Sequence, residues 1–139
     1  MTYWDSSALV TLFVEQAVSH KYREIHARNP QVVTSWHAVP ECASAFCRLR
    51  REGFLSENQL SEVLARLQSQ SAHWFALASG SRLEHLTLRV LRLHPLRAMD
   101  AVHLAAACLV RGEIISTMEF LSEDNRLAEA AAKEGFLLR

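Results

Sequence analysis

Cysteine, lysine and aspartate are all scarce in this chain, and each scarcity narrows what it can be. Cys42, Cys47 and Cys108 make an odd set with no C-x-x-C pair, which argues against a disulfide framework and gives no sign of a zinc or dithiol redox centre. They read as buried or partly buried thiols in a reducing compartment. No stretch approaches the about 18 consecutive apolar residues that a membrane span needs. The opening MTYWDSS has no basic segment leading into an apolar run, so no secretory leader is expected there. A soluble cytoplasmic protein is the expectation. Formal net charge is zero, so the overall basic signature of many nucleic-acid binders is missing and any such role must come from a local site. Lysine is confined to Lys21 and Lys133 among 15 basic residues. The basic side is therefore almost all arginine, whose planar fork pairs phosphate or carboxylate bidentately.

Half of the 139 residues are apolar, enough for a substantial core without metal or disulfide staples, and one domain over residues 1–139 is expected. The chain has no internal repeat, low-complexity run or linker. Thr2 to Asp5 reads as a strand leading into a helix from about Ser7 to Glu15, with a second helix from about Val18 to Arg28, closed by Pro30. Gln31 to Ser35 is a strand, and a helix follows from Pro40 to Glu52. A long amphipathic helix is predicted from Ser56 to Ala78, with Leu60, Val63, Leu64 and Leu67 on one face, and another from Leu83 to Leu93. Helices over Ala98 to Arg111 and Arg126 to Glu134 flank an extended stretch at Met118 to Ser122, and Phe136 to Leu138 forms a last strand. Gly53, Gly80, Gly112 and Gly135 all fall just past predicted helix ends, where left-handed backbone is favoured. Short apolar strands alternating with helices predict an α/β sandwich, a parallel sheet covered on both faces.

The three aspartates, Asp5, Asp100 and Asp124, each stand where an element begins or ends. Asp5 ends the first strand, and ligands of open parallel sheets bind outside the carboxyl ends of their strands. Asp124 follows a later strand at the mouth of a helix, beside Glu123, and either acid can serve as cap or as site oxygen. Asp100 and Glu41 lie in first helical turns, where unpaired N–H groups and the macrodipole favour carboxylates. Singly, each is an ordinary capping acid. Their joint spacing and flanking residues carry more weight.

Those flanking residues are Tyr3-Trp4-Asp5-Ser6-Ser7-Ala8-Leu9, Ser35 to Ala45 around Glu41, L-R-A-x-D-A-x-H-L-A-A over Leu96 to Ala106, and F-x-S-x-D-x-R-L-A over Phe120 to Ala128. In this order and spacing the chain resembles the PIN-domain family, specifically the VapC-type toxins of toxin–antitoxin pairs. The resemblance covers nearly the whole chain and implies a three-layer α/β/α sandwich with a mostly parallel sheet. It implies an acidic active site of Asp5, Glu41, Asp100 and Asp124, of which Asp5, Asp100 and Asp124 hold metal, with the Ser7 hydroxyl nearby. The implied cofactor is Mg²⁺, or Mn²⁺, since hard divalent cations prefer oxygen ligands. The implied activity is ribonuclease: in-line attack of a metal-activated water on an RNA phosphodiester, with Glu41 completing the shell or orienting the water. The implied partners are RNA, a cognate VapB-like antitoxin and a second copy in a homodimer.

Other residues have plainer readings. The seven histidines include no H-x-x-x-H pair, so a zinc helix is not indicated. His103, one turn after Asp100, is expected to pack or hydrogen-bond. Trp4, Trp36 and Trp74 fit core or partner packing better than base stacking. Arg97 and Arg126 flank acidic positions and serve either substrate phosphate or the carboxylates themselves. Arg48, Arg50 and Arg51 read as a solvated helix face. Phosphotransfer domains with strand-end aspartates need a paired acid and a phosphate-facing lysine, and neither a D-x-D nor a suitably placed lysine is present. The alternative that survives is a PIN-like module that binds RNA or antitoxin without turnover.

Overall fold

The computed structural model describes residues 1–112 and 117–139. Five strands lie in one sheet, β1 (Thr2–Trp4), β2 (Val33–Ser35), β3 (Phe75–Leu77), β4 (Glu119–Leu121) and β5 (Leu137–Leu138), in the order β3-β2-β1-β4-β5 with every pairing parallel. Helices α1 (Ser6–Val10), α2 (Ser19–Arg28), α3 (Ala38–Arg51) and α4 (Glu57–Ser71) come from the first half of the chain, and α5 (Ser81–Leu93), α6 (Ala98–Arg111) and α7 (Asn125–Lys133) from the second.

Strand residues divide between two cores by the two-residue period of a pleated strand. Tyr3, Val33 and Phe120 join α5, α6 and α7 on one face, whereas Trp4, Val32 and Leu121 join α1 to α4 on the other. Both faces of the central strands β1 and β4 are covered, so the consecutive residues Tyr3-Trp4 and Phe120-Leu121 are all buried instead of alternating. Tyr3 stacks on Phe120 with ring centroids 5.2 Å apart, and Phe120 meets Phe136 at 5.6 Å. The expected α/β/α sandwich is thus the observed one. Strand order reverses at β1, and the crevice beside its carboxyl end is where this architecture leaves room for a ligand.

Three local expectations need correction. The long helix stops at Ser71, not Ala78, and Phe75–Leu77 is the edge strand β3, pairing Val33 with Phe75 and Ser35 with Leu77. The apolar face of α4 ends with buried Val63 and Leu67, and the next helical position on it is Ser71, so nothing on that face rewards continuing the helix. The first helix ends at Val10, where the hydroxyl of buried Thr11 donates to the Ala8 carbonyl at 2.6 Å and competes with helical continuation. Gly80 precedes α5 in extended backbone, while Gly53, Gly112 and Gly135 have the positive φ expected past a helix end. No helix among the described residues is long and apolar enough to cross a membrane.

Candidate active site

At the reversal of strand order the backbone of β1 delivers Asp5, whose N–H still donates to the Leu121 carbonyl at 3.1 Å as the ladder ends. The Asp5 carboxylate caps α1 by accepting from the N–H groups of Ser7 and Ala8, and its other oxygen accepts from the Ser122 hydroxyl just beyond β4. It is 2% exposed, and burial raises its pKa against the hydrogen bonds and the nearby His103 that lower it. Asp5 is therefore a buried carboxylate fixed between α1 and the end of β4.

A groove of about 760 Å³ has a lining that includes Glu41, Arg97, Asp100, Glu123, Asp124 and Arg126. The α6 N-terminus brings Asp100 and Arg97, the first turn of α3 brings Glu41, and the β4–α7 turn with the start of α7 brings Glu123, Asp124 and Arg126. Burial, then the charges of Asp124, Asp5 and Glu41, raise the pKa of Asp100. Three of the four expected acids, Glu41, Asp100 and Asp124, thus line one groove, and the fourth, Asp5, is buried close enough to Asp100 for its charge to act there. Like charges held this way, on an all-oxygen donor set, are what a hard divalent cation would relieve. Asp124 also resolves the capping question, accepting from the Leu127 N–H at 2.9 Å, while Glu123 accepts from the Tyr22 hydroxyl and still lines the groove. The Ser7 hydroxyl accepts from the Glu123 N–H at 2.8 Å, pinning the start of α1 to the β4–α7 turn.

Glu41 is held from below by groups that sequence spacing did not single out. Its Oε2 accepts from the Ser6 hydroxyl at 2.6 Å and from His103 Nε2 at 2.8 Å, and His37 Nε2 lies 3.8 Å away. Burial opposes its ionisation, but these hydrogen bonds and the two imidazoles outweigh that and lower its pKa. Oε1 takes no hydrogen bond from any described residue. His103 Nδ1 meets the Tyr3 hydroxyl at 2.9 Å, so the expected hydrogen-bonding role of His103 is met on both ring nitrogens. His37 bonds the Met99 carbonyl through Nε2 at 3.2 Å and the Ser35 hydroxyl through Nδ1 at 3.1 Å. A carbonyl only accepts, so Nε2 carries the proton and Nδ1 accepts. This fits a pKa lowered by burial, and by His103, to about 4. The available signal was His37-x-x-x-Glu41, one helical turn on a single face.

Trp4 is fully buried beside Tyr22, Trp74 packs edge-on to Phe13, and Trp36 is exposed. Arg48, Arg50 and Arg51 are exposed on α3, and Arg50 pairs with Glu57.

No protein-family model matches this sequence, and no curated protein matches it. Solved structures do. FitAcB from Neisseria gonorrhoeae aligns over 99% of this chain and 96% of its own at 14% identity and a TM-score of 0.73. VapC20 of Mycobacterium tuberculosis, a sarcin–ricin loop cleaving toxin, aligns over 99% and 97% at 18% identity and a TM-score of 0.65. At these identities the likeness is one of fold, and the fold is the PIN-domain sandwich that the sequence motifs implied.

Proposed function

We propose that the chain is a metal-dependent endoribonuclease, the toxin of a toxin–antitoxin pair, acting in the cytoplasm as one domain over residues 1–139. The observation that carries this reading is the gathering of Glu41, Asp100 and Asp124 on one arginine-flanked groove, with buried Asp5 at the carboxyl end of β1 electrostatically coupled to Asp100. The similarity of fold to a sarcin–ricin loop cleaving toxin supports RNA as the substrate class.

Asp5, Asp100 and Asp124 would hold Mg²⁺ or Mn²⁺. Such an ion, when bound, supplies Lewis acidity and neutralises charge at a phosphodiester. Arg97 and Arg126 on the groove wall suit the phosphate oxygens. Glu41, kept ionised by Ser6 and His103, presents Oε1 to orient a water and accept its proton. The test is cleavage of a labelled RNA oligonucleotide in Mg²⁺ against EDTA. Binding without cleavage in Mg²⁺ would instead support the module without turnover.

Metal should also be visible without catalysis. A cation that binds only the folded chain stabilises it, by about 2.7 kcal/mol at 100 times Kd, so Mg²⁺ is expected to raise the melting temperature of the wild-type chain and hardly that of Asp100→Asn. Equal responses from the two chains, or none, would remove the open carboxylate site.

Exposed Met99 and Trp36 border the site, the first on the groove itself and the second packed against His37. This apolar rim suits a short antitoxin segment laid over the acids, and exposed Phe75, Leu88 and Leu93 suit pairing with a second copy. Co-expression with the adjacent reading frame is expected to yield a stable complex and to relieve growth arrest. A chain harmless by itself, with nothing co-purifying, would contradict the toxin reading.

A further inference from the structure

Beneath the carboxylate groove lies a second donor set of different chemistry. His37, the N-cap of α3, and Glu41 in its first turn stand one turn apart, and His103 approaches from α6. Their ligand atoms, one from each, all lie within 4.8 Å of one another. Glu41 Oε2 is the common neighbour, 2.8 Å from His103 Nε2 and 3.8 Å from His37 Nε2. Tetrahedral zinc, with bonds of about 2.0–2.1 Å, sets its ligand atoms about 3.4 Å apart. The Glu41 contacts lie on either side of that spacing, so small ring and carboxylate rotations reach it. A water from the groove would fill a fourth position.

The surroundings are arranged as imidazole ligands require. His103 Nε2 bonds Glu41, His37 Nε2 lies within 3.8 Å of it while bonding the Met99 carbonyl, and each Nδ1 meets a hydroxyl, Tyr3 for His103 and Ser35 for His37. A hydroxyl both donates and accepts. When metal replaces the protons on the two Nε2 atoms, the protons reside on Nδ1 and the same hydroxyls can accept them, so the outer partners need not be exchanged. Ring nitrogens held by outer partners in this way are typical of protein metal sites.

We infer that His37, Glu41 and His103 form a binding site for zinc or a similar borderline transition metal, distinct in chemistry from the all-oxygen cluster above it and sharing Glu41 with that cluster. Two imidazoles select against Mg²⁺ and for zinc or cobalt. Resting on the nuclease reading is a consequence: zinc drawn onto Glu41 takes that carboxylate from the groove, so zinc inhibits cleavage even in excess Mg²⁺.

Co²⁺ reports the site directly, because in a tetrahedral nitrogen and oxygen environment it absorbs visible light strongly, which a hydrated ion does not. Wild-type protein and Asp100→Asn are each expected to bind one equivalent of Co²⁺ with that absorption, and zinc should displace it. His37→Gln and His103→Gln, with folding verified by circular dichroism, should lose affinity by more than the about 10–100-fold typical of removing an outer partner. Retained affinity in both histidine variants with loss in Asp100→Asn would place the metal among the aspartates and overturn the inference. So would the lack of a visible band in saturated wild-type protein. X-ray absorption of the zinc-loaded wild-type chain needs no variant, and a count of fewer than two imidazoles also refutes the site. A full Co²⁺ signature without zinc inhibition of cleavage would leave the site standing and remove only the shared role of Glu41.

Discussion

Asp100→Asn is expected to slow RNA cleavage by about a hundredfold or more, because metal and oxyanion stabilisation of this kind is worth several kcal/mol. Folding should survive, and in the absence of metal it should improve. Burial, Asp124, Asp5 and Glu41 raise the pKa of Asp100 above its ordinary 3.8. A carboxyl raised in the folded state favours folding when protonated, so its contribution is present below 3.8 and is lost as pH rises through the folded value. At neutral pH the ionised Asp100 thus works against the fold. The variant should melt higher than the metal-free wild type near pH 7, with the gap closing below pH 3.8. Single-turnover cleavage, a gel shift on the same oligonucleotide and thermal melts across pH provide the comparison. Wild-type cleavage by Asp100→Asn would end the assignment of this cluster as the active site, whereas lost cleavage with lowered metal-free stability would point to structural damage.

The acids were legible in the sequence for a physical reason. Asp5, Asp100 and Asp124 sit at element boundaries, and a parallel sheet gathers the carboxyl ends of its strands at one rim. Whether Glu123 or Asp124 capped α7 was not legible, because the answer depends on Tyr22, 101 residues away, taking the Glu123 carboxylate. The support beneath Glu41 was hidden for the same reason. Tyr3 and His103 are 100 residues apart, and His103 and Glu41 62 apart, so no local period announces their contact. Strand β3 was missed at the opposite scale. Phe75-Ala76-Leu77 follows an amphipathic helix with only the short turn at Ala72 to Trp74 between them, and its three-residue pairing with β2 is what defines it. Tertiary pairing overrode a local pattern there, as short edge strands permit.

Phe120→Ala is expected to cost about 3–5 kcal/mol of stability, the usual cost of emptying a buried aromatic position. Phe120 is 1% exposed, stacked on Tyr3 on one side and against Phe136 on the other. The loss combines transfer of the ring, the cavity left behind and the aromatic contacts. It also reaches the site, because the Tyr3 ring resting on Phe120 carries the hydroxyl that bonds His103, and His103 holds Glu41. Freed from its stack, Tyr3 can tilt, and the orientation of Glu41 loosens with it. Phe75→Ala is the matched control: Phe75 is a phenylalanine of the same sheet, but 53% exposed on the edge strand, so its loss should cost well under 1 kcal/mol. Urea denaturation of both variants measures the difference. Phe120→Leu retains much of the apolar volume but not the stack, so at a temperature where it stays folded it separates packing from positioning. Reduced turnover at saturating RNA in that variant, restored by no change in substrate concentration, is the expected result. Wild-type turnover would show that Glu41 is held without help from the Tyr3–Phe120 stack.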